Sequence, residues 1–308
     1  MLSRTAEGLF WAARYLERAD GIARLLQMGQ RMTLIPGAGR DEWRSVVSVA
    51  AASDIFDPDE RITERRIVEK LVLCPHTPSS VRYCLDRARE NAKAVRTALT
   101  MEMWEAINDG WRRLETADLD AAVRELPVLI DWVKHRTAGF RGAAESSMLR
   151  RDAYFFLRVG GYLERSDLTL RLLDVKYHIL LPESEVVGGG RDHHQWTTIL
   201  EALSARRAYH HVYRSDFSPW TITDFLILNN QFPRSVVYCY NEVSRYLEML
   251  SHAYGQRHDC HMMAGSMVAK LADTEMGELF QSGLHEFTLD TMRFNAQLSG
   301  AISRAYHF

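Results

Sequence analysis

Between residues 5 and 30 the apolar positions recur every three or four residues. At about 100° per residue, Leu9, Ala12, Leu16, Ala19, Ala23 and Leu26 fall on one face, which predicts an amphipathic helix. Long segments rich in Ala, Leu, Arg and Glu, the strong helix formers, fill most of the remaining chain. Breaks fall at Pro36-Gly37-Ala38-Gly39, at Cys74-Pro75-His76-Thr77-Pro78 and at Gly188-Gly189-Gly190, the last read as the most flexible joint. Ser79 or Ser80 is placed to cap a long helix from about Val81 to Asn108, closed by Asp109-Gly110. Alternating strand-like runs are absent. The pattern predicts an all-α fold, a helical bundle.

Within this pattern one unit recurs. Tyr15-Leu16-Glu17-Arg18-Ala19-Asp20, followed by Arg24-Leu25-Leu26, matches Tyr162-Leu163-Glu164-Arg165-Ser166-Asp167, followed by Arg171-Leu172-Leu173. The offset is 147, and eight of the twelve positions are identical. Pro78-Ser79-Ser80-Val81-Arg82-Tyr83-Cys84 matches Pro233-Arg234-Ser235-Val236-Val237-Tyr238-Cys239 at an offset of 155, with five of seven identical. Leu71 and Leu73 fall on Leu226 and Leu228 at that same offset. Two matched segments in the same order predict an internal duplication. The halves are 1–145 and 146–308, expected to pack as one compact domain with a pseudo-twofold relation.

The recurring unit carries charge. Glu17, Asp20 and Arg24 share a stripe away from the apolar face, beside a second stripe of Arg4, Glu7, Trp11, Arg14 and Arg18. Asp20 with Arg24, and Asp167 with Arg171, have the i,i+4 spacing of an ion pair, worth about 0.2–0.5 kcal/mol on an exposed helix. Glu17, Arg18, Asp20 and Arg24 persist as Glu164, Arg165, Asp167 and Arg171 although their surroundings diverge. Two readings stand open. In one, the charges pair between helices and fix their register. In the other they line a polar cavity with Asn91 and Glu102, which project near the edge of the long helix's apolar sector. Carboxylates there could serve as acid and base or hold a divalent ion.

Composition narrows the choice. The chain has 308 residues, enough to bury about 75% of its unfolded surface. A formal net charge of −2 provides no bulk field for nucleic acid or anionic membrane. The basic run Arg61 to Arg66 is interrupted by Glu64 and reads as an ordinary charged helix face. No window supports a membrane span or a signal peptide. Cys74, Cys84, Cys239 and Cys260 are widely spaced, as suits reduced thiols in the cytoplasm. Twelve histidines include the cluster His258-Asp259-Cys260-His261, but none has the paired spacing of a zinc site, so no metal is expected, and the sequence assigns no cofactor. Walker, dinucleotide, HExxH and GxSxG motifs are absent.

Ser3-Arg4-Thr5-Ala6-Glu7, Tyr15-Leu16-Glu17-Arg18-Ala19, Ser79-Ser80-Val81-Arg82-Tyr83-Cys84, Ala88-Arg89-Glu90-Asn91-Ala92 and Glu102-Met103-Trp104-Glu105-Ala106 together resemble the alpha-E family. Leu172-Leu173-Asp174-Val175-Lys176-Tyr177 and Phe232-Pro233-Arg234-Ser235-Val236 are similar to it too. Gly8 departs from the family pattern, which more often has Asn or Asp there. The resemblance implies a bacterial helical protein encoded beside circularly permuted ATP-grasp proteins and transglutaminase-like peptidases. The expected role is a non-catalytic accessory of such an amide-bond-forming enzyme, binding it or its peptide substrate. The alternative is an enzyme of the same pathway, with Glu17 and Glu164 as acid/base or metal-binding carboxylates and Arg18 and Arg165 holding an anionic group.

Overall fold

The computed structural model describes residues 3–33, 42–178, 190–214 and 217–308. The helices are α1 (Ser3–Thr33), α2 (Glu42–Val49), α3 (Glu64–Ile67, running on as a π-helical turn Val68–Leu73), α4 (Val81–Ala94), α5 (Met101–Glu115), α6 (Leu119–Arg124), α7 (Leu126–Ser147) and α8 (Asp152–His178). They continue with α9 (Gly190–Ala202), α10 (Arg206–Tyr213), α11 (Pro219–Ile227), α12 (Val236–Tyr254), α13 (Asp259–Ala272), α14 (Met276–Ser282) and α15 (Leu284–Tyr306). No strand occurs among the described residues. The loop Pro36-Gly37-Ala38-Gly39 lies outside them, as do Gly188 and Gly189, while Gly190 opens α9. None of the described helices is long and apolar enough to cross a membrane.

α1 and α8 form the central pair. α1 is also flanked by α2, α4, α7 and α9, and α8 by α2, α12 and α15. The short helices cross between the halves: α2 rests on α8, and α9 rests on α1. Apolar residues from Ala6 to Ile302 consequently join one core cluster. Enclosure on so many sides buries more than the apolar face of α1. Glu17, Asp20 and Arg24 are buried too.

Helix approach is closest where glycine removes a side chain. A Cβ on Gly160 of α8 would sit 2.3 Å from the carbonyl oxygen of Phe10 on α1, so the two backbones touch. Gly160→Ala forces a helix to shift and is expected to cost about 1–3 kcal/mol, read as a lowered urea midpoint. An unchanged midpoint would mean that α8 can move away from α1 freely. Gly8 acts alike against α4: its Cβ would lie 2.5 Å from Val95 Cγ1 and 3.2 Å from the Asn91 carbonyl oxygen. A larger side chain there would push α1 off α4.

The single long helix expected from Val81 to Asn108 is two. Val95, at φ −120° and ψ 29°, ends α4, a 3-10 turn follows over Arg96–Ala98, and α5 packs back on α4. A straight helix could not make that contact. Asp109-Gly110 does not close the segment either, since α5 runs to Glu115 with Gly110 buried. Ser80, not Ser79, is the cap: its Oγ accepts the Tyr83 N–H at 3.0 Å.

Hydrogen bonds recur at constant offsets between the halves. Ser235 caps α12 by accepting the Tyr238 N–H at 3.1 Å, as Ser80 caps α4. The Ser80 and Ser235 hydroxyls donate to the Cys74 and Asn229 carbonyls, and the Cys84 and Cys239 thiols lie against the Pro78 and Pro233 carbonyls. All three pairs are 155 residues apart. α2 and α9 end alike as well, at an offset of 153. Ala51 (φ 53°) and Ser204 (φ 56°) adopt the left-handed conformation, and the Ala52 and Ala205 N–H groups donate back to Val47 and Leu200.

Candidate functional site

The Glu-Arg dipeptides of the two Tyr-Leu-Glu-Arg segments meet where α1 crosses α8. Arg18 donates from Nε to Glu164 Oε1 (2.5 Å) and from Nη2 to Glu164 Oε2 (3.2 Å). Arg165 donates from Nη2 to Glu17 Oε1 (2.6 Å) and from Nε to Glu17 Oε2 (3.4 Å). Each glutamate therefore takes the arginine of the other half, in a forked pairing that suits guanidinium and carboxylate. A further arginine joins each. Arg141 of α7 reaches Glu17 Oε1 at 3.0 Å, and Arg14 reaches Glu164 Oε2 at 2.8 Å. Arg14 also donates to Ser299 of α15 at 2.6 Å.

The aspartates lie one turn further along. Asp20 accepts from Arg24 (2.8 Å), Arg234 (3.1 Å) and the Thr137 hydroxyl (3.1 Å) and is fully buried. Asp167 accepts from Arg171 at 2.6 Å and is only partly buried. The arginines of these pairs then reach across: Arg24 Nη1 donates to the Ala202 carbonyl at the end of α9 (2.5 Å), and Arg171 Nη1 to the Val49 carbonyl at the end of α2 (2.8 Å). A cation at a helix C-terminus satisfies open carbonyls and complements the helix dipole. Arg24 with Asp20 is an interior brace, and Arg171 with Asp167 a partly exposed one, where their spacing alone suggests two exposed pairs.

Protonation follows from this enclosure. Burial alone pushes the Glu17 carboxyl upward, but Arg141 and Arg165 outweigh it and hold the group at about 2. Glu164 is likewise raised by burial and brought down to about 2 by Arg14 and Arg18. Asp20 is lowered further still, burial being overcome by Arg24, Arg234 and Arg141. Burial pushes the Cys84 and Cys239 thiols, which neighbour the cluster, up to about 12 and leaves them protonated and unreactive. All four cysteines are free.

Eight of the ten candidate residues thus converge: Glu17, Arg18, Asp20, Arg24, Glu164, Arg165, Asp167 and Arg171. Asn91 and Glu102 do not. The Asn91 amide donates to the Arg87 carbonyl of its own helix, and Glu102 is exposed on α5, because the break at Val95 turns that segment away. The sequence reading passed over Arg141, Thr137 and Ser299. No motif marks them, and they arrive from α7 and α15. Arg234 did carry a signal, as the residue that takes the place of Ser79 inside an otherwise matched motif.

Elsewhere, His261 is buried. Its Nδ1 accepts the His258 N–H at 2.9 Å at the start of α13, and Tyr306 lies 3.3 Å from its Nε2. Among the described residues no three His, Cys, Asp or Glu side chains are grouped to hold a metal ion. In the basic run, Arg65 pairs with Asp120, and Arg66 with Glu60 and Glu69 at 2.5 and 2.8 Å.

Beside the glutamates a cleft of about 300 Å³ opens between α1, α8, the end of α2 and the Pro78-Ser79 turn. Glu17, Arg18, Glu164, Asp167 and Arg171 contribute to its wall.

An all-helical core held by two reciprocal Glu-Arg pairs defines a class of protein by its interior. The model of the Alpha-E family, described as a predicted alpha-helical domain with a conserved ER motif, matches residues 1–307, and the chain belongs to that family. Glu17-Arg18 and Glu164-Arg165 carry that dipeptide within Tyr-Leu-Glu-Arg, and it also occurs as Glu60-Arg61 and Glu64-Arg65. No curated protein and no solved structure matches the chain.

Proposed function

We propose that this protein is a non-catalytic helical scaffold of a bacterial, cytoplasmic peptide-synthesis or peptide-modification system. It acts with a circularly permuted ATP-grasp amide-bond-forming enzyme and a transglutaminase-like peptidase, binding the enzyme or its peptide substrate. The scaffold part is carried by one observation: all four carboxylate oxygens of Glu17 and Glu164 already accept hydrogen bonds from guanidinium groups. With both groups held near pKa 2, neither has a proton to give or a basic lone pair to offer near neutral pH. This weighs against the enzyme alternative built on those carboxylates. The partner enzymes are supported by the family resemblance, and the cytoplasmic placement by four free thiols.

The same reading takes 1–145 and 146–308 as diverged copies of one helical unit. The recurrence of hydrogen bonds at offsets of 153 and 155, beside the 147-residue offset of the Glu-Arg segments, supports it.

The test is native mass spectrometry on tagged protein purified gently from its own cells, with and without ATP. The expected result is co-purification with an ATP-grasp or transglutaminase-like chain. Recovery of the protein alone, carrying a tightly bound metal or small molecule that it turns over, would overturn the scaffold reading.

A further inference from the structure

The cleft beside Asp167 has a counterpart in the other half, and there the chain fills the space itself. By the offsets above, Asp167 corresponds to Asp20 and Ser79 to Arg234. The Arg234 side chain is largely buried and its Nη2 donates to Asp20 Oδ2 at 3.1 Å. Ser79 cannot reach Asp167, and its hydroxyl donates instead to the Ala50 carbonyl at 2.6 Å. Two neighbouring positions change in the same sense. Where the filled half has Leu203 and Ser204, the open half has Ala50 and Ala51.

The carboxylates record the difference. Asp20 is served by Arg24, Arg234 and Thr137, whereas Asp167 accepts from Arg171 alone among the described residues. Arg24 and Arg234 share Asp20 Oδ2, whereas on Asp167 the corresponding Oδ2 holds Arg171 and no second guanidinium. Arg18 and Arg171 also line the space, which could suggest an anion. The filled half answers that point. The equivalents of these two residues, Arg165 and Arg24, both lie near enough to Arg234 to act on its charge, and a guanidinium sits beside them all the same. Stacked or edge-on guanidinium groups share carboxylates readily because they are weakly hydrated.

We infer that the cleft is a binding site for an alkylguanidinium group, an arginine side chain or an arginine-like small molecule, seated on Asp167 as Arg234 is seated on Asp20. About 300 Å³ is at the small end of ligand pockets, room for one long side chain rather than for a nucleotide-sized cofactor. The site stands on the comparison of the two halves and is independent of the scaffold reading; each is tested by a separate measurement.

The experiment is a chemical-shift titration of the full-length protein with free L-arginine and with N-acetyl-L-arginine methylamide, using N-acetyl-L-citrulline methylamide as the neutral isostere. Saturable shifts in residues around Asp167 with the guanidinium ligands are expected, with citrulline about 10- to 100-fold weaker, as befits the loss of a charged hydrogen bond. Tighter binding of the blocked compound than of free arginine identifies a peptide side chain as the source; the reverse identifies the free molecule. Asp167→Asn is expected to weaken binding by a similar factor. Ser79→Arg should fill the cleft from within, abolish binding and leave the fold intact. Equal binding of citrulline, preference for inorganic phosphate, or no saturable binding to wild type would each overturn the proposal, whether or not the variants fold.

Discussion

Glu17→Gln is expected to lower the unfolding free energy by about 3–5 kcal/mol, the cost of removing one partner from a buried ion pair. The substitution keeps the shape of the side chain and removes its charge. Arg165 and Arg141, both largely withdrawn from water, would then face a neutral amide that can accept through only one oxygen. Most of the loss comes from leaving these cations uncompensated rather than from the lost attraction itself. The measurement is urea unfolding followed by helix circular dichroism, with the slope compared as well as the midpoint. A change below about 1 kcal/mol would put the pair in the class of exposed salt bridges and remove it as a brace. Combining Glu17→Gln with Arg165→Met isolates the coupling. The double variant should be more stable than the sum of the single losses predicts, because it leaves one fewer unpaired charge.

Acid should dismantle the same interface. Glu17 and Glu164 have folded pKa values of about 2, below the ordinary 4.5, so the folded state binds their protons less readily than the unfolded chain does. Their stabilisation is fully present above about pH 5 and is lost as pH falls through 4.5 towards 2. Each contributes on the order of 3 kcal/mol, and Asp20 adds to the loss in the same direction. Urea midpoints measured from pH 7 to pH 3 should therefore be flat at first and then fall steeply. In Glu164→Gln the fall should be shallower by about one carboxylate's share. Because the pairs are buried, added salt at neutral pH should change little. A midpoint unaffected between pH 5 and 3 would mean that these carboxylates are not paired in the fold.

Much of this architecture follows from local pattern. The periodicity of Leu9, Leu16, Ala23 and Leu26 requires a helix with a buried face, whatever it packs against. The Ser80 and Ser235 caps belong to short motifs whose geometry is set within a few residues. The recurrence of Glu17-Arg18 as Glu164-Arg165 was equally legible, because both dipeptides stand within longer matched segments. The break at Val95 was not. Val81 to Asn108 is acceptable helix by propensity, and what divides it is the packing of α5 back on α4 and the close approach of Gly8. Glu102 was placed with the charges on the assumption of a straight helix and leaves with it, whereas Asn91, ahead of the break, gives its amide to its own helix.

The match between the ends of α2 and α9 shows the limit from the other side. Ala51 and Ser204 share a left-handed backbone and the same closing bonds, yet of the seven residues around them only Ala52 and Ala205 are identical. Hydrogen bonds of the main chain leave little trace in side-chain identity.

Helical class, the position of the charges and their recurrence were therefore determined by the sequence itself, because each depends on spacing within a few turns. Which arginine each glutamate takes was decided only in three dimensions. Glu17 has Arg18 beside it in the chain and pairs with Arg165, 148 residues away, because neighbours on a helix diverge by about 100° while the crossing of α1 and α8 brings distant side chains face to face. The same crossing sets Arg234 on Asp20 and leaves Ser79 short of Asp167. One motif, used twice, thereby yields a filled half and an open one.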